Sequence, residues 1–307
     1  MQFEAIADYQ DLCGEGPLWD STRNLLFWTD LSGRRFYCYD WLHKRSMIIR
    51  EDLEICGFAF NQPAGFVLVN TEGIWTWDGH GEPLLLASEA DGHPCRMNDC
   101  IADPRGRLLA GSCFYESDRQ DYPLGHLMRV DHDGSVSILD DGIRLANGLG
   151  FSPDGQTLYF SDSAERVIYA YDYDLERGAV HRRRPFVRIP AEEGLPDGLT
   201  VDAEGLVWSA QWFGSCLVRY RPDGSVERKV PVPAKQTSSV AFGGPFLSTL
   251  FVTSAGLSDS LPLAPPGYDP HRGYRGGKLF QANLEIAGKH EFRCRISGGP
   301  FRGSTSI

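Results

Sequence analysis

Asn147-Gly-Leu-Gly-Phe-Ser152 and Asp197-Gly-Leu-Thr-Val-Asp202 are two copies of a phrase that recurs along this chain. Both open on an oxygen-bearing side chain, continue as an apolar stretch and lead into an Asp/Ser-x-x-Gly turn. The other copies begin at Glu15 and Asn98 and, more weakly, at Cys56 and Ser238. In chain order the six copies begin 41, 42, 49, 50 and 41 residues apart. A repeat of this length, made of short strands and turns, predicts the blades of a β-propeller.

Individual strands can be read within one unit of the repeat. The fourth unit holds apolar stretches at 149–152, 157–161 and 167–172, separated by turn residues, and a fourth strand is expected near 186–189. Closing a propeller removes exposed sheet edges, so the chain ends are expected to share a blade, with 3–6 completing the sheet of 250–253 and 278–281. We therefore predict an all-β, six-bladed β-propeller with a central metal site, as one domain over residues 1–307 with a loose tail from about 298.

The charge of the chain limits its partners. A formal net charge of −11 makes nucleic acid an unsuitable partner, because phosphate binding needs a basic face. The one dense basic run, at 181–185, is interpreted as a solvated turn.

The sequence shows no sign of a signal peptide or of a membrane-spanning segment. Its N-terminus lacks a charged segment followed by an apolar one, and no stretch approaches 18 consecutive apolar residues. We expect a cytoplasmic protein that does not insert into membranes. Its eight cysteines, which form no Cys-x-x-Cys pair, are expected to be buried thiols.

The donors at the start of the phrases predict a metal site. The innermost strand of each blade lines the central channel, so equivalent residues of different blades meet around one axis. Glu15 and Asp197 would bring two carboxylates and Asn147 an amide oxygen, a hard-oxygen set whose charge matches one divalent cation. Ca²⁺, Mg²⁺ and Mn²⁺ suit such a set, and Zn²⁺ or Fe²⁺ is compatible with it. Taken singly, Asn-Gly and Asp-Gly are ordinary turn dipeptides, and only the shared position across blades favours a site.

A second polar group lies around Asn98. Arg96, Asn98, Asp99 and, downstream, Glu116 make a hydrogen-bonding set suited to a polyhydroxylated ligand, or alternatively a surface ion-pair cluster. The chain has no Gly-x-Ser-x-Gly elbow and no His-Glu-x-x-His motif, which disfavours covalent catalysis and favours metal-assisted attack by water. Long loops at 114–124 and 256–277 are expected to cover the central site.

These phrases resemble the senescence marker protein (regucalcin)/gluconolactonase/luciferin-regenerating-enzyme-like family of six-bladed propellers. The matching phrases lie at 14–19, 96–111, 147–162 and 196–208. The resemblance implies a lactonase that opens sugar lactones on one divalent cation. It implies Glu15, Asn147 and Asp197 as the metal ligands, with Asp197 also the general base. It further implies that Arg96, Asn98, Asp99 and Glu116 bind the sugar, although the residues around Glu116 depart from the family pattern.

Two alternatives stay open at this point. The same scaffold could hydrolyse phosphotriesters or other lactones if an apolar wall lined the channel. The aromatic residues available for such a wall are Phe58, Phe114, Tyr115, Trp212 and Phe213. The chain could also be a calcium-binding or protein-interaction propeller without turnover, since fold alone does not determine function.

Overall fold

The computed structural model describes residues 2–114, 122–256 and 263–297, and these residues contain strands, turns and loops but no helix. The strands of the described chain are β1 (Glu4–Ala7), β2 (Gly14–Asp20), β3 (Leu25–Asp30), β4 (Arg35–Asp40), β5 (Arg45–Glu51), β6 (Gly57–Phe60), β7 (Phe66–Asn70), β8 (Gly73–Trp77), β9 (Leu84–Ala87), β10 (Glu89–Ala90), β11 (His93–Pro94), β12 (Met97–Ala102), β13 (Leu108–Ser112), β14 (Gly125–Val130), β15 (Val136–Ile143), β16 (Ala146–Phe151), β17 (Thr157–Asp162), β18 (Val167–Asp174), β19 (Ala179–Arg188), β20 (Leu195–Val201), β21 (Val207–Trp212), β22 (Cys216–Tyr220), β23 (Val226–Pro231), β24 (Thr237–Gly243), β25 (Thr249–Ser254) and β26 (Leu279–Asn283).

Six antiparallel four-stranded sheets form the blades of a propeller. Blades 1 to 5 are β2–β5, β6–β9, β12–β15, β16–β19 and β20–β23, and blade 6 has the order β24-β25-β26-β1. The inner strands β2, β6, β12, β16, β20 and β24 contact one another in a closed ring. A short hairpin of β10 and β11 joins blades 2 and 3. The predicted all-β, six-bladed propeller is confirmed.

The two ends of the chain close the ring as expected. β1 pairs antiparallel with β26, and Ala5 lies opposite Phe280 in the register. The N-terminal segment therefore supplies the outermost strand of the blade whose other three strands come from residues 237–283. Because this strand is hydrogen-bonded to the last part of the propeller, the first and last blades cannot separate without breaking a sheet.

Hydrophobic packing between blades explains why the ring forms. Successive side chains of a strand point to opposite faces, and each blade is packed between two neighbours, so its middle strands are apolar on both faces. β7, for example, is buried along its whole length. Six hydrophobic clusters result, one at each contact between neighbouring blades. At the contact between blades 6 and 1, Trp28 is fully buried and stacks on Tyr37 with ring centroids 4.7 Å apart.

The basic run at 181–185 lies in an outer strand. We interpreted it as a turn, but it belongs to β19, the outermost strand of blade 4. Arg182 and Arg184 pair with Asp172 of the neighbouring β18, and Arg183 pairs with Asp140 of blade 3. The positive charges are thus balanced by carboxylates of the same surface, so they form no uncompensated basic patch.

The C-terminal strap, residues 284–297, crosses the end of the channel where the inner strands finish. Gly288 forms a bridge with Asp202 just beyond β20, and Cys294 forms one with Asn61 just beyond β6. Arg293 donates to Asp20 Oδ1 at 2.6 Å at the end of β2. The strap therefore joins blades 1, 2 and 5 across one face of the propeller.

Two sequence predictions fall outside the described residues, namely the loose tail from 298 to 307 and the substrate contact Glu116. The loops predicted at 114–124 and 256–277 are described only in part. No helix in the described ranges is long and apolar enough to cross a membrane. No disulfide joins cysteines within the part of the chain that the structure describes.

Candidate active site

The predicted donors lie at the beginning of the inner strands. Glu15 is the second residue of β2, Asn98 of β12 and Asn147 of β16, while Asp197 is the third residue of β20. The repeat read from the sequence therefore corresponds to one structural position in four blades. All four side chains lie at the end of the channel opposite the C-terminal strap.

A β-bulge lies at the repeated donor position, or directly after it, in five of the six inner strands. The register shifts between Glu15 and Leu18 in blade 1. Equivalent shifts occur in the inner strands of blades 3, 4, 5 and 6. A bulge bends a strand and redirects a side chain, and such features are common next to active sites. Blade 2 has a regular register, and its equivalent residue Cys56 precedes the strand.

The glycines after Asn147 and Asp197 allow neighbouring inner strands to approach closely. A Cβ atom at Gly148 would lie within 3.0 Å of the carbonyl oxygen of Asp197, and one at Gly198 would collide with Ser239. The Asn-Gly and Asp-Gly pairs are therefore not turns, which was the ordinary reading of those dipeptides. They occur within strands because the channel wall leaves no room for a side chain there.

Glu15 and Asp197 are carboxyl groups close enough for the charge of Asp197 to act on Glu15. Asp197 is 4% exposed, and its Oδ1 is buried without a hydrogen-bond partner. Loss of hydration raises the pKa of Glu15 well above its usual range, and the charges of Asp197 and Asp99 raise it further. Burial likewise raises the pKa of Asp197, with Asp99 contributing. These carboxylates are therefore destabilised in the protein alone, which is the condition a bound cation would relieve.

A directed chain of hydrogen bonds runs from blade 3 to blade 5 through Asn147. Asn98 Nδ2 donates to Asn147 Oδ1 at 3.2 Å, and Asn147 Nδ2 donates to Ser163 Oγ at 3.0 Å. Ser163 Oγ in turn donates to the carbonyl oxygen of Pro196 at 2.6 Å. The chain thus ends one residue before Asp197. Sequence analysis did not single out Ser163, because it lies just after β17 and outside the repeated phrase.

The residues predicted to bind substrate have different surroundings. Asn98 also donates to the carbonyl oxygen of Ala146 at 2.7 Å, so both of its amide hydrogens are used and only its Oδ1 remains for a ligand. Asp99 lines the channel, and burial raises its pKa to about 7. Arg96 is exposed, and its Nε donates to the carbonyl oxygen of Cys113 at 3.2 Å. The structure thus brings Asn98 into contact with Asn147 and directs Arg96 to a backbone carbonyl of its own blade.

The two weaker copies of the phrase are unsuited to bind a cation. Burial raises the pKa of the Cys56 thiol well above its usual range, which disfavours the thiolate form that binds metals. Ser238 is fully buried, and its hydroxyl donates to the carbonyl oxygen of Gly14. The hard anionic and amide donors thus belong to the other four blades.

A channel continues beneath the donors toward the C-terminal strap. It forms a cavity of about 70 Å³ lined by Asp99 and by apolar residues such as Phe58 and Leu199. Glu291 and Phe292 of the strap line its far end. Of the other aromatic residues considered for an apolar wall, Phe213 packs on Tyr268, with ring centroids 4.5 Å apart, and Tyr115 is not described.

The donor set fits one divalent cation. In the described ranges no three His, Cys, Asp or Glu side chains lie at metal-ligand spacing, and the predicted set has only two carboxylates. The third member of the predicted set is the amide of Asn147. Its nitrogen donates a hydrogen bond to Ser163, so its oxygen faces away from Ser163. The unpartnered Asp197 Oδ1 and the destabilised Glu15 carboxylate complete an oxygen-only set of the kind that hard cations prefer.

The fold and the site together define a six-bladed propeller with oxygen donors at one end of its channel. A family model described as the SMP-30/gluconolactonase/LRE-like region matches residues 13–256. Pentonolactonase XacC of Haloferax volcanii is 36% identical over 299 residues, which cover 97% of this chain and 100% of that protein. The chain belongs to the SMP-30/gluconolactonase/LRE-like family.

Solved structures of similar proteins agree with the fold. The luciferin-regenerating enzyme superimposes with a TM-score of 0.86 at 28% identity, covering 96% of this chain and 99% of that one. A calcium-binding protein, regucalcin from Agrobacterium tumefaciens, superimposes with a TM-score of 0.82 at 27% identity, covering 95% and 97%.

Proposed function

We propose that this protein hydrolyses sugar lactones to sugar acids with the aid of one divalent cation held by Glu15, Asn147 and Asp197. The observation that carries the proposal is the buried, unpartnered Oδ1 of Asp197 beside a second destabilised carboxyl group. A buried carboxylate oxygen without a donor is costly unless a cation or a substrate proton meets it. The pentonolactonase name of a relative aligned over nearly the whole chain supports a sugar lactone as substrate.

Each residue has a role in the proposed reaction. When bound, the cation would supply Lewis acidity, polarising the lactone carbonyl and stabilising its developing negative charge. Asp197 would also accept the proton of the attacking water. Asn98 would accept a hydrogen bond from a sugar hydroxyl, because its Oδ1 alone is available, and Asp99 would accept another. Glu116 and the exposed Arg96 complete the proposed sugar-binding set.

Proton release on a panel of aldonolactones (glucono, galactono, xylono, arabinono) tests the proposal. Chelator-stripped protein should release protons no faster than spontaneous hydrolysis, and restoring Ca²⁺, Mg²⁺, Mn²⁺ or Zn²⁺ should accelerate release from one or two sugars. Ca²⁺ is the first cation to test, because one of the similar solved structures is that of a calcium-binding protein. No acceleration with any sugar and any cation would contradict the lactonase assignment.

Replacement of the proposed base gives the sharpest test of the residue roles. Asp197→Asn keeps the shape of the side chain but removes both its charge and its basicity. We expect turnover to fall at least about 100-fold, with an unchanged circular dichroism spectrum. The exposed Asp133 provides a matched control, because Asp133→Asn makes the same chemical change far from the channel. Near-normal turnover by Asp197→Asn would rule out the assigned role.

A further inference from the structure

Ser163 makes two hydrogen bonds that together specify the direction of its single proton. It is 2% exposed and lies just after β17 in blade 4. Its Oγ lies 2.6 Å from the carbonyl oxygen of Pro196, which can only accept. The hydroxyl proton must therefore point to Pro196, and the lone pairs of Oγ are left for the side chain of Asn147, 3.0 Å away.

This arrangement determines which end of the Asn147 amide faces Ser163. An acceptor oxygen requires a donor, so the Nδ2 of Asn147 has to face Ser163 and the Oδ1 has to face away. The contact of that Oδ1 with Asn98 Nδ2 on the opposite side satisfies the same orientation. A flipped amide would place two acceptors together at Ser163 and two donors together at Asn98, so it is disfavoured at both ends.

The same neighbourhood ties the backbone of each proposed ligand to the preceding blade. In each case the carbonyl group of the residue before the proposed ligand accepts a hydrogen bond from the neighbouring blade. The acceptors and donors are Pro196 and Ser163 before Asp197, Ala146 and Asn98 before Asn147, and Gly14 and Ser238 before Glu15. Ser163 differs from Ser238 because it also contacts the side chain of a proposed ligand.

We propose that Ser163 is a positioning residue that holds the Asn147 amide with its oxygen, rather than its nitrogen, available to the cation. The proposal rests on the cation site proposed above. Partners of this kind orient the groups that bind a metal, and their loss typically weakens metal affinity about 10- to 100-fold. Without Ser163, the amide could present hydrogens toward the cation in part of the population, and affinity would fall accordingly.

Calorimetric titration of chelator-stripped protein with CaCl₂ and with MnCl₂ tests this role without reference to turnover. Ser163→Ala is expected to bind about 10-fold more weakly than the unaltered protein. Ser161→Ala is the matched control, since Ser161 is a fully buried serine of the adjoining β17 whose hydroxyl has no partner. It should bind the cation as tightly as the unaltered protein. Melting temperatures recorded alongside verify that each variant is folded.

A double-mutant cycle separates amide orientation from simple support of the backbone. Asn147→Asp replaces the amide with a carboxylate, which offers an oxygen in either orientation. Ser163→Ala should therefore lower affinity when Asn147 is present and leave it unchanged when it is combined with Asn147→Asp. Equal loss in both backgrounds, or no loss in either, would overturn the proposal. Failure of the unaltered protein to bind either cation would overturn the cation site as well, so the two failures are distinguishable.

A second pair of variants covers the case in which alanine perturbs packing. Ser163→Thr and Ser163→Val have nearly the same size, and only the first keeps the hydroxyl. Threonine at this position should bind cation about 10-fold more tightly than valine. Equal affinities in the pair would contradict a role for the hydroxyl group.

Discussion

At the scale of single residues, Asp11 shows how burial controls a carboxyl group in this protein. It is 3% exposed, and burial raises its pKa to about 7. Tyr37 donates to its Oδ1 at 2.7 Å and Trp28 Nε1 donates to its Oδ2 at 3.2 Å, which limits the rise. The guanidinium of Arg35 lies 3.7 Å from Oδ1 and also opposes it. Burial, with a smaller contribution from the negative charge of Asp30, nevertheless outweighs these three stabilising contacts.

This raised pKa predicts a pH dependence of stability. In the unfolded chain Asp11 ionises near pH 3.9, so between about pH 4 and pH 7 the folded state holds more protons than the unfolded state. The contribution of Asp11 to stability is complete below pH 4 and is lost as the pH rises to 7, with a slope of up to about 1.4 kcal/mol per pH unit. In urea unfolding between pH 4.5 and pH 7.5, the free energy of unfolding of Asp11→Asn should depend less on pH than that of the unaltered protein. Asp133→Asn, at an exposed position, serves as the control, and identical slopes for both variants would disprove the assignment.

At the scale of elements, a proposed donor and a bulge occur together near the start of an inner strand. In blades 4 and 5 the donor is followed directly by a glycine, Gly148 or Gly198, that packs closely against the next inner strand. The bulge redirects the donor, and the glycine allows the next strand to approach. Gly148 lies against the backbone of Asp197 and Gly198, so the inner strands of blades 4 and 5 position each other. The placement of one proposed ligand therefore depends on the strand that carries another.

Gly148→Ala tests this dependence between strands. The added methyl group would press on the backbone of Asp197, which cannot move as a side chain can, so a destabilisation of about 1–3 kcal/mol is expected. Cation affinity should fall as well, because Asp197 is displaced. Gly142→Ala is the control, because a Cβ atom at Gly142 would meet open space. This substitution should reduce stability only by the cost of placing alanine at a positive φ, about 1 kcal/mol. Urea unfolding and calorimetric titration measure both effects, and unchanged cation affinity in Gly148→Ala would refute the coupling.

At the scale of the whole molecule, the ring is closed twice. β1 closes it through the sheet of blade 6, and the C-terminal strap ties blades together across the end opposite the donors. The side chain of Asn61 holds the strap by a pair of 3.0 Å hydrogen bonds, donating to the carbonyl oxygen of Ile296 and accepting from its amide nitrogen. Asn61 is 1% exposed, so these bonds are shielded from water.

Asn61→Ala is expected to reduce the free energy of unfolding by about 2–4 kcal/mol, because it leaves two buried backbone groups of Ile296 without partners. Turnover per folded molecule should be unchanged, since the strap lies at the other end of the channel from the donors. Arg295→Ala removes an exposed side chain of the same strap and should change stability by no more than about 0.5 kcal/mol. Urea unfolding measures both variants, and equal stabilities would show that Asn61 does not hold the strap.

Most of the architecture was predictable because it is repetitive. The phrase beginning at Glu15, Asn98, Asn147 and Asp197 predicted the start of an inner strand each time, and the pairing of the N-terminal segment with β26 followed from ring closure. The strap was not predictable, because its contacts are single bridges and side-chain bonds to blades far away in sequence. The bulges were also hidden, since a register shift depends on the partner strand.

The sequence alone determined the number of blades, the order of their strands and the place of the proposed donors at the start of the inner strands, because a repeat of local patterns specifies local structure wherever it occurs. Only the tertiary structure decided how the donors are held. The hydrogen bonds from Asn98 to Asn147, from Ser163 to Pro196 and from Ser238 to Gly14 all cross from one blade to the next. Such contacts join residues 33 to 224 positions apart, and their geometry exists only once the ring has closed.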